Sequence, residues 1–290
     1  MKTTELTKWM MVCALGVFSM TSCSDDDDNN INVPDNVTRA FNDKYAGVGR
    51  VEWDRERGGY LVAEFNKDGK EYDAWFTETG EWVMTEVDHG RRMENLPQAV
   101  QAGYEATTYY AENWTIDDID EIQRPAYETF YIIEVEKKGQ PDYDLYFDAN
   151  GTLFRVREVQ GEGNYNGDLV GNQLPAEMQS FIDSEYPGAR VVDFDSEDNG
   201  YEVDVIHDGK SKEIWFDTQY NWVQTSTDVT RDIPANIRAA VEAQYPNKRI
   251  DDCDYVETAQ GEAYYLVDLD NYYNDLKVAS DGTITEVDDY

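Results

Sequence analysis

Most of the residues in this chain that could do chemistry are carboxylates, and their number is what makes them uninformative. Acid–base catalysis needs two titratable groups whose surroundings push their pKa values apart. With 61 Asp and Glu among 290 residues, a pair can be drawn almost anywhere, so none is singled out. The two histidines, His89 and His207, stand at unmatched positions with no partner pattern. There is no Gly-rich phosphate loop after a strand, no nucleophile elbow and no His-Glu zinc motif. Asp195-Ser196-Glu197-Asp198-Asn199-Gly200 has the look of a calcium loop. Its twelfth position, however, is Ile206 rather than the closing Glu, so it is read as a strand connection. Cys253 sits in Asp251-Asp252-Cys253-Asp254, where neighbouring acid raises a thiol pKa and blunts it as a nucleophile; it is read as a small strand residue. No catalytic residue, no metal ligand and no cofactor is assigned, and the chain is not expected to be an enzyme.

The other chemistry available is contact chemistry, and here the chain repeats itself. Tyr72-Asp73-Ala74-Trp75-Phe76 runs through Thr79-Gly80 into Glu81-Trp82-Val83, and Lys212-Glu213-Ile214-Trp215-Phe216 runs through Gln219-Tyr220 into Asn221-Trp222-Val223. Strand alternation puts Ala74 with Phe76, and Ile214 with Phe216, on an apolar face. Trp75 and Trp215 then take the opposite face. Placing Val83 and Val223 in the core sends Trp82 and Trp222 outward too. Aromatic pairs on an acidic open face mark an interaction site, so Trp75, Trp82, Trp215 and Trp222 form the candidate interaction surface. The competing reading is that the rings pack across strands for stability alone.

The elements that position these hairpins are also repeated. Val33-Pro34, Leu96-Pro97, Leu174-Pro175 and Ile233-Pro234 each precede apolar residues three, seven and eleven places beyond the proline: Val37, Phe41, Tyr45; Val100, Tyr104, then Thr108 as the one departure; Met178, Ile182, Tyr186; Ile237, Val241, Tyr245. Spacing by four places these residues on one face of a helix. Proline suits the first turn, and Tyr186-Pro187 and Tyr245-Pro246 end two of the helices. After each of the four helices come alternating strands with turn dipeptides such as Asp68-Gly69 and Asp208-Gly209. The first and third units match at an offset of 141 residues, and the second and fourth match each other. The expected fold is therefore α+β: two tandem domains at 33–160 and 172–290, joined by a Gly-rich linker at 161–171. Each domain is two helix-plus-antiparallel-strand units, with the helices on one face of the sheet.

The apolar-Pro helix starts, the Tyr-Pro helix ends, the Trp-Phe strand and the terminal Asp281-Gly282-Thr283 hairpin together resemble the PepSY-like, β-lactamase-inhibitor-like family of secreted Bacteroidota proteins, over essentially all of the chain after its N-terminal leader. That resemblance implies an open sheet face opposite the helices. In β-lactamase inhibitor protein this face is concave, aromatic-rich and clamps an enzyme, and PepSY domains are associated with restraining secreted peptidases. No individual inhibitory residue is carried over.

The N-terminus supplies an address. Lys2 and Lys8 precede an uncharged, mostly apolar run from Trp9 to Phe18, then Met20-Thr21-Ser22-Cys23. This is a secretory signal over residues 1–22, with an apolar run too short to span a bilayer. It resembles a lipobox with Cys23 as the acylated residue. Ser24-Asp25-Asp26-Asp27-Asp28 opens an acidic tether over 23–32 and is similar to the surface-export signal of Bacteroidota lipoproteins. The expected location is the outer membrane, at the cell surface, anchored to the membrane through acyl chains on Cys23; the periplasmic leaflet is the alternative. Removing residues 1–22 leaves 22 basic and 60 acidic side chains, a formal charge of −38. A field of that sign repels phosphate backbones, so no nucleic acid partner is expected. The expected role is that of a non-catalytic protein that binds another protein through open sheet faces. That partner is unidentified, and inhibition of a secreted hydrolase or peptidase falls within this reading. A peptide- or glycan-capture module using the same aromatics, and a purely structural envelope component, are the alternatives.

Overall fold

All four apolar-Pro pairs start a helix, and the proline is the N-cap each time. In the structure, a computed structural model describing residues 31–125, 127–159, 173–197, 199–270 and 272–287, the helices are α1 (Asp35–Lys44), α2 (Gln98–Glu105), α3 (Thr108–Ala111), α4 (Ala176–Glu185) and α5 (Ala235–Gln244). Pro34, Pro97, Pro175 and Pro234 hold φ between −53 and −60° and extended ψ, the geometry a pyrrolidine ring imposes. Their carbonyls accept the first helical hydrogen bonds, as from Val37 and Thr38 onto Pro34 at 3.0 and 3.1 Å. The predicted stripe is the buried one: Val37, Phe41, Val100, Tyr104, Met178, Ile182, Ile237 and Val241 are all at most 4% exposed.

The second unit differs from the single helix expected. Thr107 interrupts it: its hydroxyl donates to the Tyr104 carbonyl at 2.7 Å and accepts from the Tyr110 N–H at 3.2 Å. One side chain thus ends α2 and caps the short α3.

Each unit contributes four strands. The first sheet runs β1 (Glu52–Arg55), β2 (Leu61–Lys67), β3 (Lys70–Phe76), β4 (Trp82–Asp88), β5 (Thr115–Gln123), β6 (Phe130–Glu136), β7 (Tyr143–Asp148) and β8 (Leu153–Glu158). The second runs β9 (Arg190–Glu197), β10 (Gly200–His207), β11 (Lys210–Asp217), β12 (Trp222–Asp228), β13 (Ile250–Thr258), β14 (Ala263–Leu269), β15 (Asp275–Val278) and β16 (Ile284–Val287). Both are antiparallel meanders in sequence order. Asp68 and Gly69 (φ +54 and +81°), and Asp208 and Gly209 (φ +52 and +75°), form the tight turns between β2 and β3 and between β10 and β11, since both positions need the left-handed region. The predicted linker, signal segment and most of the tether lie outside the described residues.

The helices line one face of each sheet. α1 covers Leu61, Ala63, Phe65, Ala74 and Phe76, and α2 covers Ile119, Ile133, Val135, Leu145 and Phe147. In the second sheet α4 covers Val203, Val205, Ile214 and Phe216, and α5 covers Cys253, Val267, Leu276 and Val278. Cys253 is fully buried; burial and the flanking Asp252 and Asp254 push its thiol up to about 12.

The Trp after each turn falls on this helix face, contrary to the outward position that simple alternation predicts. Trp75 pairs with Met84 and Phe76 with Trp82, so Val83 is an extra residue; Trp215 pairs with Gln224 and Phe216 with Trp222, so Val223 is extra. A one-residue bulge exchanges the faces of everything beyond it. Trp82 therefore packs toward α1 with the Lys44 ammonium 3.2 Å from its ring centroid, and Trp222 stacks on Phe181 of α4 at 5.5 Å. Val83 instead joins the cluster on the opposite face, and Val223 is 38% exposed. The indole N–H donates to a threonine three residues on, Trp82 to Thr85 at 2.8 Å and Trp222 to Thr225 at 3.0 Å. The same threonine meets the tyrosine that ends the helix, Tyr45 or Tyr186. Thr225→Val keeps the shape but removes the partner of two part-buried polar groups, the Trp222 indole N–H and the Tyr186 hydroxyl, which costs up to about 1–3 kcal/mol for each. Urea denaturation of Thr225→Val should give a midpoint well below wild type with an unchanged slope; an unchanged midpoint would remove this threonine from the account.

Candidate binding faces

What remains for function is the face of each sheet that carries no helix. On the first sheet, part of that face is a second core. Val62, Trp75, Met84, Ile122, Phe130, Ile132, Tyr146 and Phe154 pack together, and Val192 and Ile206 of the second sheet complete the cluster. A bulge in β8 helps build it: Tyr146 pairs with Arg155 and Phe147 with Leu153, which sends Phe154 to this side. Trp75 is 5% exposed and meets Tyr60 edge-on at 6.1 Å. The expectation that it lies on an open surface is corrected: it is a core residue.

Strand β8 brings the two sheets together. The Arg155 guanidinium reaches Asp193 at 3.0 Å, Asp195 at 2.8 Å, Glu202 at 3.1 Å and Asp204 at 2.7 Å, on β9 and β10. Arg124 reaches Asp193 and the Val192 carbonyl, both at 2.6 Å. Arg190 returns the contact from β9 to Asp148 at 2.5 Å, and the Ser211 hydroxyl donates to the Phe154 carbonyl at 3.1 Å. Asp193 and Asp148 are fully buried, so these charges depend on their partners.

Beyond that contact the non-helix face of the second sheet continues through Glu213 and Trp215 on β11, Asp228 on β12, Asp252 and Asp254 on β13 and Asp268 on β14, in register. Trp215 is half-buried, and its indole N–H donates to Glu213. The first sheet has its own acidic strip, with Glu64, Asp73, Glu86, Asp120 and Glu134 on the same side of β2 to β6. Of the four candidate tryptophans, Trp215 alone combines the non-helix face with partial exposure. Cys23 lies outside the described residues. His89 and His207 are not brought together: His89 faces Glu121 at 3.0 Å in the first sheet, and His207 meets Tyr186 edge-on at 5.6 Å in the second. Asp195, from the calcium-like loop, is engaged with Arg155.

Crowding like charges on half-buried strands raises their pKa values. Burial pushes Glu202 up to about 8, with Glu213 adding to the rise, and burial with Asp252, Asp228 and Glu213 does the same for Asp254. Burial first, and neighbouring carboxylates second, lift Glu64, Asp73 and Glu134 to about 7. A carboxyl whose folded pKa exceeds its unfolded value near 4 stabilises the fold fully below that value, and the benefit is lost as pH rises through the folded pKa. The melting temperature should therefore fall as pH rises from 5 to 9. Calorimetry showing a flat or rising melting temperature over that range would contradict the shifts. The carboxylates held low, Asp148 beside Arg190 and Glu121 beside His89, lose their contribution only below about pH 4.5.

Sequence reasoning located Trp215 and missed the arginine contacts and the two acidic strips. Strand alternation could have found the strips, but register breaks at the starts of β5 and β13, after Ile116 and Ile250, interrupt it where the acids crowd.

Comparison with known proteins adds a family. The family described as "Putative beta-lactamase-inhibitor-like, PepSY-like" matches residues 59–155, 163–210 and 205–286. Solved structures with similarity include a BLIP-like protein from Bacteroides fragilis, 27% identical, covering 52% of this chain and 99% of that one, with a TM-score of 0.43. A DUF2874 family protein from Bacteroides uniformis is 27% identical over 46% of this chain and 93% of its own, with a TM-score of 0.42. Another DUF2874 family protein, from Bacteroides ovatus, is 26% identical over 44% and 89%, with a TM-score of 0.41. No curated protein matches the chain. Among the described residues no helix is long and apolar enough to cross a membrane.

Proposed function

We propose that this chain, which belongs to the PepSY-like, β-lactamase-inhibitor-like family, is a non-catalytic binding protein of the cell envelope that holds another protein against the non-helix face of its second sheet. The observation that carries this reading is the position of Trp215. It is a large aromatic ring, half-buried, on a sheet face that no helix among the described residues covers, where its repeat counterpart Trp75 is sealed in a core. Aromatic rings in that setting are favoured anchors for a protein partner. A secreted hydrolase or peptidase restrained by that binding is the partner class in keeping with the family. The Cys23 pattern and the acidic residues after it favour a lipid-anchored protein on the outer membrane, displayed at the cell surface.

The test is affinity capture from the organism's own envelope fraction with the intact chain, comparing wild type with Trp215→Ala. One stoichiometric partner, retained by wild type and lost with the variant, is the expected result. Retention on a glycan or peptide array, with no protein captured, would replace this function with a ligand-capture module.

A further inference from the structure

The acidic face of the second sheet is only half neutralised. At its β9–β10 end, Arg155 from the first sheet enters among Asp193, Asp195, Glu202 and Asp204. Further across, Glu213, Asp228, Asp252, Asp254 and Asp268 follow in register, and among the described residues no cation pairs with any of them. Building on the binding function above, we propose that this strip seats a lysine- or arginine-bearing segment of the partner protein, which continues across β11 to β14 the contacts that Arg155 makes at the edge.

Three observations favour a cationic occupant over an apolar or acidic one. Arg155 shows what this face accepts, since one guanidinium with its five fixed donors serves four carboxylates on two strands. The strip also opposes like charges directly across strands, Asp228 with Asp254 and Asp252 with Asp268. That arrangement is destabilising in a sheet, and a bridging cation would relieve it. The Trp215 ring, finally, stands between the occupied and unoccupied parts of the strip, where a partner's guanidinium can stack on it. The one lysine that β15 presents on this side, Lys277, is engaged with Glu262 at 3.2 Å. A formal charge of −37 speeds the approach of such a partner.

The experiment measures binding of three extended twelve-residue peptides to the intact chain, followed by Trp fluorescence and calorimetry. One peptide alternates Arg and Ser, one Glu and Ser, one Gln and Ser. Two double variants separate this strip from general attraction to an acidic protein: Glu213→Gln with Asp254→Asn on the strip, and Glu177→Gln with Glu242→Gln on the exposed sides of α4 and α5. The expected result is binding of the Arg peptide alone, weakened at least tenfold by the strip variant and less than twofold by the helix variant. Equal weakening by both variants, equal binding of the Gln peptide, or no binding of the Arg peptide would each overturn the proposal. Capture of a native partner through Trp215 would still stand in those cases, so the failure of this inference and the failure of the binding function are distinguishable.

Discussion

Replacing Arg155 with alanine should cost about 3–5 kcal/mol at pH 8, the usual penalty for removing one partner of a buried ion pair. The guanidinium is the shared counter-ion of four carboxylates, of which Asp193 is fully buried and Asp204 is 2% exposed. Arg124 remains on Asp193, but among the described residues no other cation reaches Asp204. The loss should shrink as pH falls toward 5, because burial holds the Asp204 carboxyl well above its ordinary range and acid protonates what the arginine no longer neutralises. Arg155→Lys should recover only part of the loss, since a single ammonium cannot span Asp193 and Glu202 at once. Calorimetry at pH 8 and pH 5 reads all three effects. A penalty under about 1 kcal/mol at both pH values would mean the two sheets are held together by the apolar cluster alone.

Trp75→Ala and Trp215→Ala should differ widely although the two residues are repeat equivalents. Trp75 is packed among Val62, Met84 and Ile122, and its removal leaves a cavity worth about 3–5 kcal/mol. Trp215 is half-buried over carboxylates, and its removal should cost under about 1 kcal/mol while abolishing partner capture. Denaturant midpoints of the two variants make the comparison directly. Similar large losses would make both rings structural and would take away the residue on which the binding function rests.

The helical half of each sheet was readable from the chain because its causes are local. An apolar-Pro pair and three apolar residues spaced by four are enough to bury Val37, Phe41 and Tyr45 against β2 and β3. The other half was less readable because its causes are not local. The bulges at Val83 and Val223 exchange the faces of Trp82 and Trp222 with no glycine or other residue type to announce them. β5 and β13 carry bulges at their starts, between Ile116 and Asp118 and between Ile250 and Asp252, which break the alternation by which a strand is recognised. The contacts of Arg155 join residues 38 to 49 positions apart. Nothing in the sequence around Arg155 distinguishes it from Arg157, which pairs within its own sheet with Asp144. The threonines that receive the indole N–H of Trp82 and Trp222 were present in both copies at equal spacing, a repeat whose purpose emerges only once the bulge is seen.

The most direct test of binding through the second sheet is site-specific photo-crosslinking in living cells. A photoreactive residue is placed at position 215 in one strain and at position 238, on α5, in another. One discrete protein adduct from position 215 and none from position 238 is the predicted result. Adducts from position 238 with none from position 215 would move the binding surface to the helices and contradict it.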